Sequence, residues 1–296
     1  MYKRTLLTLG SAIVITLAGA MPAAAADPNG LGDPSIVNSN DPSVVMSNQT
    51  ATMTAAQLAT YNQKVALANA LNSKQGIIPT SDPATRTLIT HSGQQLTQIA
   101  PMSIPGSLEL TVYARQQLHD FYCGPTAIQV MSNLVWGAGY NGSNHFTQDD
   151  IAVQAGTIQN GQTLIGGEKT AANWSLINSS EAWFPYLIAQ PPDGHTFWSY
   201  LSTDVSYYTM PVIANLAPAV KVGSTYYHLA DWAYNNLGHK HYIVLNGYNG
   251  EWDGTHGPGL WFADGAGGLG GGTGVYYDEQ YSTYMEISHL YDYIVW

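Results

Sequence analysis

The chain has 296 residues, with 20 acidic against 9 basic side chains and a formal net charge of -11. An acidic chain without a Lys/Arg cluster repels nucleic-acid phosphates and anionic membrane surfaces, so no nucleic-acid partner is expected. Hydrophobic residues make up 45% of the sequence, which is enough to bury a core of ordinary size.

The N-terminus has the pattern of an export signal. Lys3 and Arg4 precede an apolar run from Leu6 to Ala20 and a small-residue stretch from Ala23 to Ala26. This order is typical of a secretory signal, so we expect residues 1–26 to be removed. The alternative, a retained membrane anchor, is less favoured because the apolar run is shorter than the roughly 20 residues of a typical span. We therefore predict a secreted or cell-envelope protein with no membrane span after cleavage.

Residues 27–105 are predicted to form a prosegment or spacer. The first part, to about Thr50, is rich in Asn, Ser, Asp, Pro and Gly and shows no apolar periodicity. The composition from Met53 to Leu71 shifts to Ala, Leu, Gln and Val without Gly or Pro, which predicts one helix. A compact domain is expected to follow, over residues 106–296.

The order of local patterns within the compact domain predicts an α+β fold, with a helical half followed by an antiparallel β half. Turn signals such as Asn249-Gly250 separate the later apolar runs. The helix-like segments lie around residues 125–136, 147–155 and 167–178, and the strand-like runs at 210–216, 242–248, 260–264 and 291–296.

Cys123 is the single cysteine of the chain. Exported proteins normally use cysteines in pairs as disulfides, and one cysteine cannot form such a bond within the chain. Cys123 is therefore either a small buried hydrophobe or a working thiol.

The residues around Cys123 favour the working thiol. Pro125 suits the first turn of a helix, so Cys123 is expected at the helix N-terminus. Unpaired amide groups and the positive end of the helix dipole favour the thiolate there. The apolar residues after Pro125 have the spacing i, i+3, i+4, i+7, which gives a helix one buried face. They are Ala127, Val130, Met131 and Leu134.

A nucleophilic thiolate needs a base, and the base needs an acceptor that orients it. His241 opens the apolar run from Tyr242 to Leu245, so it is expected at the start of a rigid strand, whereas His91 and His145 lie in polar, loop-like sequence. The plain alternative for His241 is a structural histidine at a strand end.

Asp264 is the candidate orienting acid. It ends the next strand-like run, which begins at Gly259, and adjacent antiparallel strands would bring it to His241. The plain alternative for Asp264 is a turn-capping carboxylate. Asp253 and Asn246 compete for the role, but Asp253 lies in a predicted turn and Asn246 lies too far along the strand from His241.

The pattern Gln117-x5-Cys123-Gly124-Pro125, followed by the His241 strand and Phe262-Ala263-Asp264, resembles the bacteriocin-leader-processing (double-glycine) cysteine peptidases of the papain-like superfamily. The stand-alone, exported members of that family are the most similar. The resemblance implies a papain-like fold, Cys123 as nucleophile, His241 as base, Asp264 as orienting acid and Gln117 as part of the oxyanion hole.

This chain departs from the family at two positions. Tyr122 stands where many members have Asp before the cysteine, and Gly265 stands where many have Pro after the acid. Neither change removes a catalytic atom. Because the chain shows no transporter segment or nucleotide-binding motif, double-glycine specificity is not carried over.

The resulting prediction is a thiol hydrolase that cleaves peptide or related amide bonds. An inactive module of the same fold that binds a peptide or the cell envelope is the main alternative. A thiol amidase or acyltransferase is a third reading, because the same nucleophile supports these reactions.

No cofactor and no metal are expected. His239 and His241 flank Lys240, but no Cys or acidic residue lies at close zinc-ligand spacing. The glycine-rich stretch from Gly265 to Gly274 lacks the Gly-Lys-Ser/Thr ending of a phosphate loop and is predicted to be a flexible rim or lid.

Aromatic clusters that could line a groove or fill the core include Trp198 with Tyr200, Tyr207-Tyr208, Tyr226-Tyr227 and Tyr276-Tyr277.

Overall fold

The structure is a computed structural model. It describes residues 53–73, 104, 106–139, 141–158, 163–232, 240–250, 259–267, 271–279 and 291–296.

The described helices are α1 (Ala55–Asn72), α2 (Cys123–Val135), α3 (Gln148–Gln154), α4 (Ile165–Leu176) and α5 (Gly194–Ser202), which continues into a π-helical turn (Thr203–Tyr208). The described strands are β1 (Ser107–Glu109), β2 (Ile188–Ala189), β3 (Val212–Leu216), β4 (Ala219–Val222), β5 (Thr225–His228), β6 (His241–Asn249), β7 (Gly259–Asp264), β8 (Gly274–Asp278) and β9 (Tyr291–Val295).

The main sheet has seven strands, and its six-strand path runs β2-β9-β3-β6-β7-β8. Each of these neighbouring pairs is antiparallel, and β1 pairs with the end of β6 beyond β3. Strands β4 and β5 form a separate two-stranded sheet. The antiparallel pair β6 and β7 brings the start of β6 beside the end of β7, and the candidate site lies there.

Both faces of the main sheet are covered, which explains why the central strands read as continuous apolar runs. Alternate residues of β6 enter different clusters: Ile243 and Leu245 pack with Phe197 of α5, whereas Tyr242 and Val244 pack with Met131 of α2. Helix α2 is therefore fixed against the sheet by its own apolar face. This packing sets the position of Cys123.

The predicted α+β fold, with helices before an antiparallel half, is confirmed. Helices α1 to α4 and strands β3, β6, β7 and β9 lie where the sequence predicts them, within a few residues at each end. The sequence reading missed α5 and the β4–β5 hairpin, and it assigned no strand to β8.

Helix α1 is packed into the domain although it lies within the predicted prosegment or spacer. Thr54 forms a capping box with Gln57 at the start of this helix. The Lys64 ammonium is fully buried, 3.1 Å from an oxygen of Asp204 in the π-helical turn. It also lies 4.1 Å from the ring centroid of Phe184 and 4.5 Å from that of Trp296. The buried charge is thus compensated by a carboxylate and by aromatic faces.

Several predictions concern residues outside the described ranges. They include the export signal over residues 1–26 and most of the predicted prosegment or spacer, so these boundaries stay predictions. Within the described ranges, no helix combines the length and apolar character that a bilayer crossing requires.

Candidate active site

Cys123 is the first residue of α2, as the position of Pro125 predicts. Its side chain is buried, with 9% of its surface exposed, and it lines a small cleft together with Gln117 and His241. Backbone N–H groups of Gly124 and Tyr242 donate to the sulfur. The sulfur therefore lies where amide dipoles stabilise a negative charge.

His241 and Asp264 are joined by a hydrogen bond of 2.7 Å between Nε2 and Oδ1. His241 is the first residue of β6 and Asp264 the last residue of β7, and both are buried. Cys123 is the second side chain that interacts with the imidazole of His241, through a hydrogen bond and through its charge. The structure thus brings three of the four predicted site residues into one chain of contacts.

The charges of these three side chains favour a thiolate at Cys123 and an imidazolium at His241. Burial opposes the charged form of Cys123, but the hydrogen bond and positive charge of His241 lower its pKa below the usual thiol value. Burial likewise opposes the charged ring of His241, but Asp264 and Cys123 raise its pKa to about 10. Burial acts against the Asp264 carboxylate as well, and His241 holds its pKa below the usual range.

Gln117, the fourth predicted residue, lines the same cleft as Cys123. Its amide nitrogen donates to the carbonyl oxygen of His119 at 3.0 Å, which fixes the plane of the side chain. Its backbone N–H donates to the carbonyl oxygen of Gly265 at 2.9 Å and ties this segment to the residue after Asp264. An amide nitrogen carries two N–H groups, so the second can serve an oxyanion in the cleft.

Trp232 is a site residue that the sequence analysis missed. Its indole N–H donates to Oδ2 of Asp264 at 2.7 Å, and its ring centroid lies 5.0 Å from that of His241. The backbone N–H of Ala266 donates to Oδ1 of the same carboxylate at 2.8 Å. Asp264 therefore accepts three hydrogen bonds, which fix its orientation. No sequence pattern singles out Trp232, because its contact with Asp264 joins residues that are 32 positions apart.

Glu168 is a second residue that the sequence analysis missed. It is fully buried, and neither carboxyl oxygen has a hydrogen-bond partner within the described residues. A Cβ added to Gly124 would lie only 2.5 Å from Oε2, so the carboxyl group packs against the first turn of α2, next to Cys123. Burial, and then the charge of Cys123, raise the pKa of Glu168 well above its usual value. A neutral carboxyl group is the form that this site favours.

Glu168→Gln is expected to flatten the pH dependence of stability. The pKa of Glu168 is higher in the folded state than in the unfolded state. The contribution of this group to the free energy of unfolding is therefore fully present below the unfolded-state pKa, and it is lost as pH rises towards the folded-state pKa. The free energy of unfolding then falls by up to about 1.4 kcal/mol per pH unit. Urea denaturation between pH 5 and 8 measures this slope. Glu109→Gln, at an exposed position of β1, is the control, and equal slopes in the wild type and Glu168→Gln would contradict the neutral carboxyl group.

The described competitors for these roles lie elsewhere. Asn246 pairs with Leu110 through both its side-chain nitrogen and its backbone oxygen. His145 stacks on Trp136 with ring centroids 3.9 Å apart. Asp253, His91 and His239 lie outside the described residues.

The aromatic clusters divide between the core and partly buried positions. Trp198 and Tyr208 are core residues, whereas Tyr226 is exposed. Tyr200 is half-buried and stacks on Trp296 with ring centroids 4.1 Å apart. None of the predicted aromatic clusters lines the cleft at Cys123.

Comparison with known proteins gives little beyond this geometry. No family model and no curated protein matches the chain. Among solved structures, one match is the proform of the Amb a 11 cysteine protease, a major ragweed pollen allergen. The two chains are 10% identical, the TM-score is 0.40, and the match covers 89% of this chain and 95% of the allergen chain. A likeness this distant carries no argument, so membership of the bacteriocin-leader-processing family stays a prediction and function is argued from the site.

Proposed function

We propose that this protein is a secreted, papain-like thiol hydrolase that cleaves peptide or related amide bonds. The observation that carries the proposal is the 2.7 Å hydrogen bond between His241 and Asp264, with Cys123 as the other partner of the same imidazole. A nucleophile, a base and an orienting acid in this order are the requirements for acyl transfer through a thiolate.

The first half of the reaction forms an acyl-enzyme. The Cys123 thiolate attacks the carbonyl carbon, and the carbonyl oxygen becomes an oxyanion that accepts from the Gln117 side chain and the backbone N–H of Cys123. The His241 imidazolium then gives its proton to the leaving amine as the C–N bond breaks. The products of this half are a free amine, a neutral imidazole and a thioester on Cys123.

The second half returns the enzyme to its starting state. Neutral His241 removes a proton from water, and the hydroxide attacks the thioester carbonyl carbon. The carbon–sulfur bond breaks, the carboxylic acid product leaves, and the thiolate and imidazolium are restored. Asp264 stays ionised throughout and holds the ring of His241 in one orientation.

The test uses the purified secreted protein, a peptide library and an electrophilic epoxide probe that reacts with activated thiols. We expect cleavage of library peptides and the addition of one probe molecule at Cys123. Intact mass is sufficient to assign the site, because the chain contains a single cysteine.

Cys123→Ala is the matched control, and it should neither cleave peptides nor take up the probe. Probe addition without cleavage of any peptide or amide would favour the inactive binding module. A wild-type protein that neither cleaves nor reacts would overturn the thiol hydrolase.

A further inference from the structure

A second carboxylate lies beside the site, in the turn that follows β5. Asp231 directly precedes Trp232, the residue that donates to Asp264. Its Oδ2 accepts the backbone N–H of Gly272 at 3.0 Å. Its Oδ1 is buried and has no hydrogen-bond partner within the described part of the chain. This carboxylate takes no part in the proposed acyl-transfer steps.

The hydrogen bond from Gly272 holds a glycine-rich segment against Trp232. A Cβ added to Gly271 would lie 2.4 Å from the indole nitrogen of Trp232, so this approach requires a residue without a side chain. The N–H of Gly267 donates to the carbonyl oxygen of Gly272 at 3.0 Å. This hydrogen bond joins the two described parts of the segment. Gly271 thereby covers the indole group that donates to Asp264.

The charged neighbours of Asp231 link it to the catalytic base. The titratable groups that face it within the described residues are Asp264 of β7, His241 of β6 and Tyr276 of β8. Burial and the charge of Asp264 raise the pKa of Asp231 to about 7, while the Gly272 N–H and, to a smaller extent, the charge of His241 oppose the rise. Because electrostatic coupling is reciprocal, an ionised Asp231 stabilises the imidazolium of His241 in turn.

We propose that Asp231 is a second positioning acid of this site, which stabilises the His241 imidazolium through its charge and, by accepting the N–H of Gly272, holds the neighbouring Gly271 against Trp232. The assignment rests on the proposed function, because Asp231 acts through His241. It differs from the role of Asp264, which contacts the imidazole directly.

Two substitutions separate the two parts of this role. Asp231→Asn removes the charge but keeps the size and an acceptor oxygen for Gly272, whereas Asp231→Ala removes both. Asp120→Asn is the matched control, because Asp120 is exposed and its replacement changes the net charge by the same amount. The main measurement is an NMR titration of the His241 ring above pH 7, where Asp231 is ionised. The His241→Ala spectrum assigns this ring among the nine histidines.

We expect Asp231→Asn to lower the pKa of His241 by roughly half a unit to one unit, the scale for a nearby charge that does not contact the ring. The alkaline limb of kcat/KM should move to lower pH by the same amount, and Asp120→Asn should leave both unchanged. An unchanged His241 pKa in Asp231→Asn would overturn the charge role. Equal kcat/KM in Asp231→Ala and Asp231→Asn would overturn the hydrogen-bond role.

Failure of this assignment is distinguishable from failure of the proposed function. The ring titration needs no substrate, so it reports on Asp231 even in a protein that cleaves nothing. A wild-type Cys123 with ordinary thiol reactivity would remove the proposed function itself. A low-pKa Cys123 together with an unchanged His241 pKa in Asp231→Asn would remove the Asp231 assignment alone.

Discussion

Replacing His241 with alanine is expected to lower kcat/KM by about 10⁴-fold or more, the scale for loss of a catalytic base that works as a unit with its nucleophile. The same change should raise the pKa of Cys123. His241 supplies both the hydrogen bond and the charge that offset the burial of the thiol. Without them, burial leaves the pKa at or above the ordinary value near 8.5.

The rate of iodoacetamide alkylation between pH 4 and 10 measures this pKa directly. The wild-type thiol should react at a pH where an ordinary thiol is protonated, and His241→Ala should lose that reactivity. His145→Ala is the matched control, because His145 is stacked on Trp136 away from the cleft. A wild-type profile that follows an ordinary thiol and does not change in His241→Ala would disprove the ion pair.

Replacing Asp264 with alanine is expected to lower kcat/KM by about 10³–10⁴-fold, as loss of an orienting acid does in related triads. Asp264 accepts a hydrogen bond from the imidazole and also accepts the N–H groups of Trp232 and Ala266. Its loss leaves His241 without an orienting partner and lowers the pKa of the ring. The thiol pKa of Cys123 should rise as a result.

Asp264→Asn should be milder than Asp264→Ala, because the amide oxygen can still accept from His241. The NH₂ group of the new asparagine, however, faces the indole N–H of Trp232. In the wild type, that N–H donates to Oδ2 of Asp264. Trp232→Phe removes that opposing donor. It should therefore lower activity in the wild-type background and raise it in the Asp264→Asn background.

A double-mutant cycle in kcat/KM tests this change of sign. Equal losses from Trp232→Phe in both backgrounds would mean that the indole does not act through Asp264. Activity retained in Asp264→Ala but lost in Asp253→Ala would transfer the orienting role to Asp253.

The two halves of the site differ in how far the sequence could predict them. His241 and Asp264 each bound a short apolar run, and antiparallel pairing of adjacent strands then places them side by side. Trp232 and Asp231 lie in a turn, where no periodicity fixes the direction of a side chain. Glu168 follows the start of α4, and its approach to Gly124 depends on how two helices pack.

The fold shows the same division between local and tertiary signals. Helix α3 begins with a capping box at Thr147, which is a local signal. The sequence predicts this helix. Helix α5 begins with an Asp193 cap but passes into a π-helical turn, and its aromatic residues suit strands as well as helices. Strand β8 begins at Gly274, so the sequence pattern places its start within a glycine-rich loop.

The buried pair of Lys64 and Asp204 makes α1 part of the stable domain. Proteolytic removal of α1 would take Lys64 away and leave the Asp204 carboxyl group in an apolar interior without its cation. Loss of one partner of a buried ion pair costs about 3–5 kcal/mol, a large part of the stability of a typical domain. We therefore expect any proteolytic processing of this chain to spare α1 and to take place before Thr54.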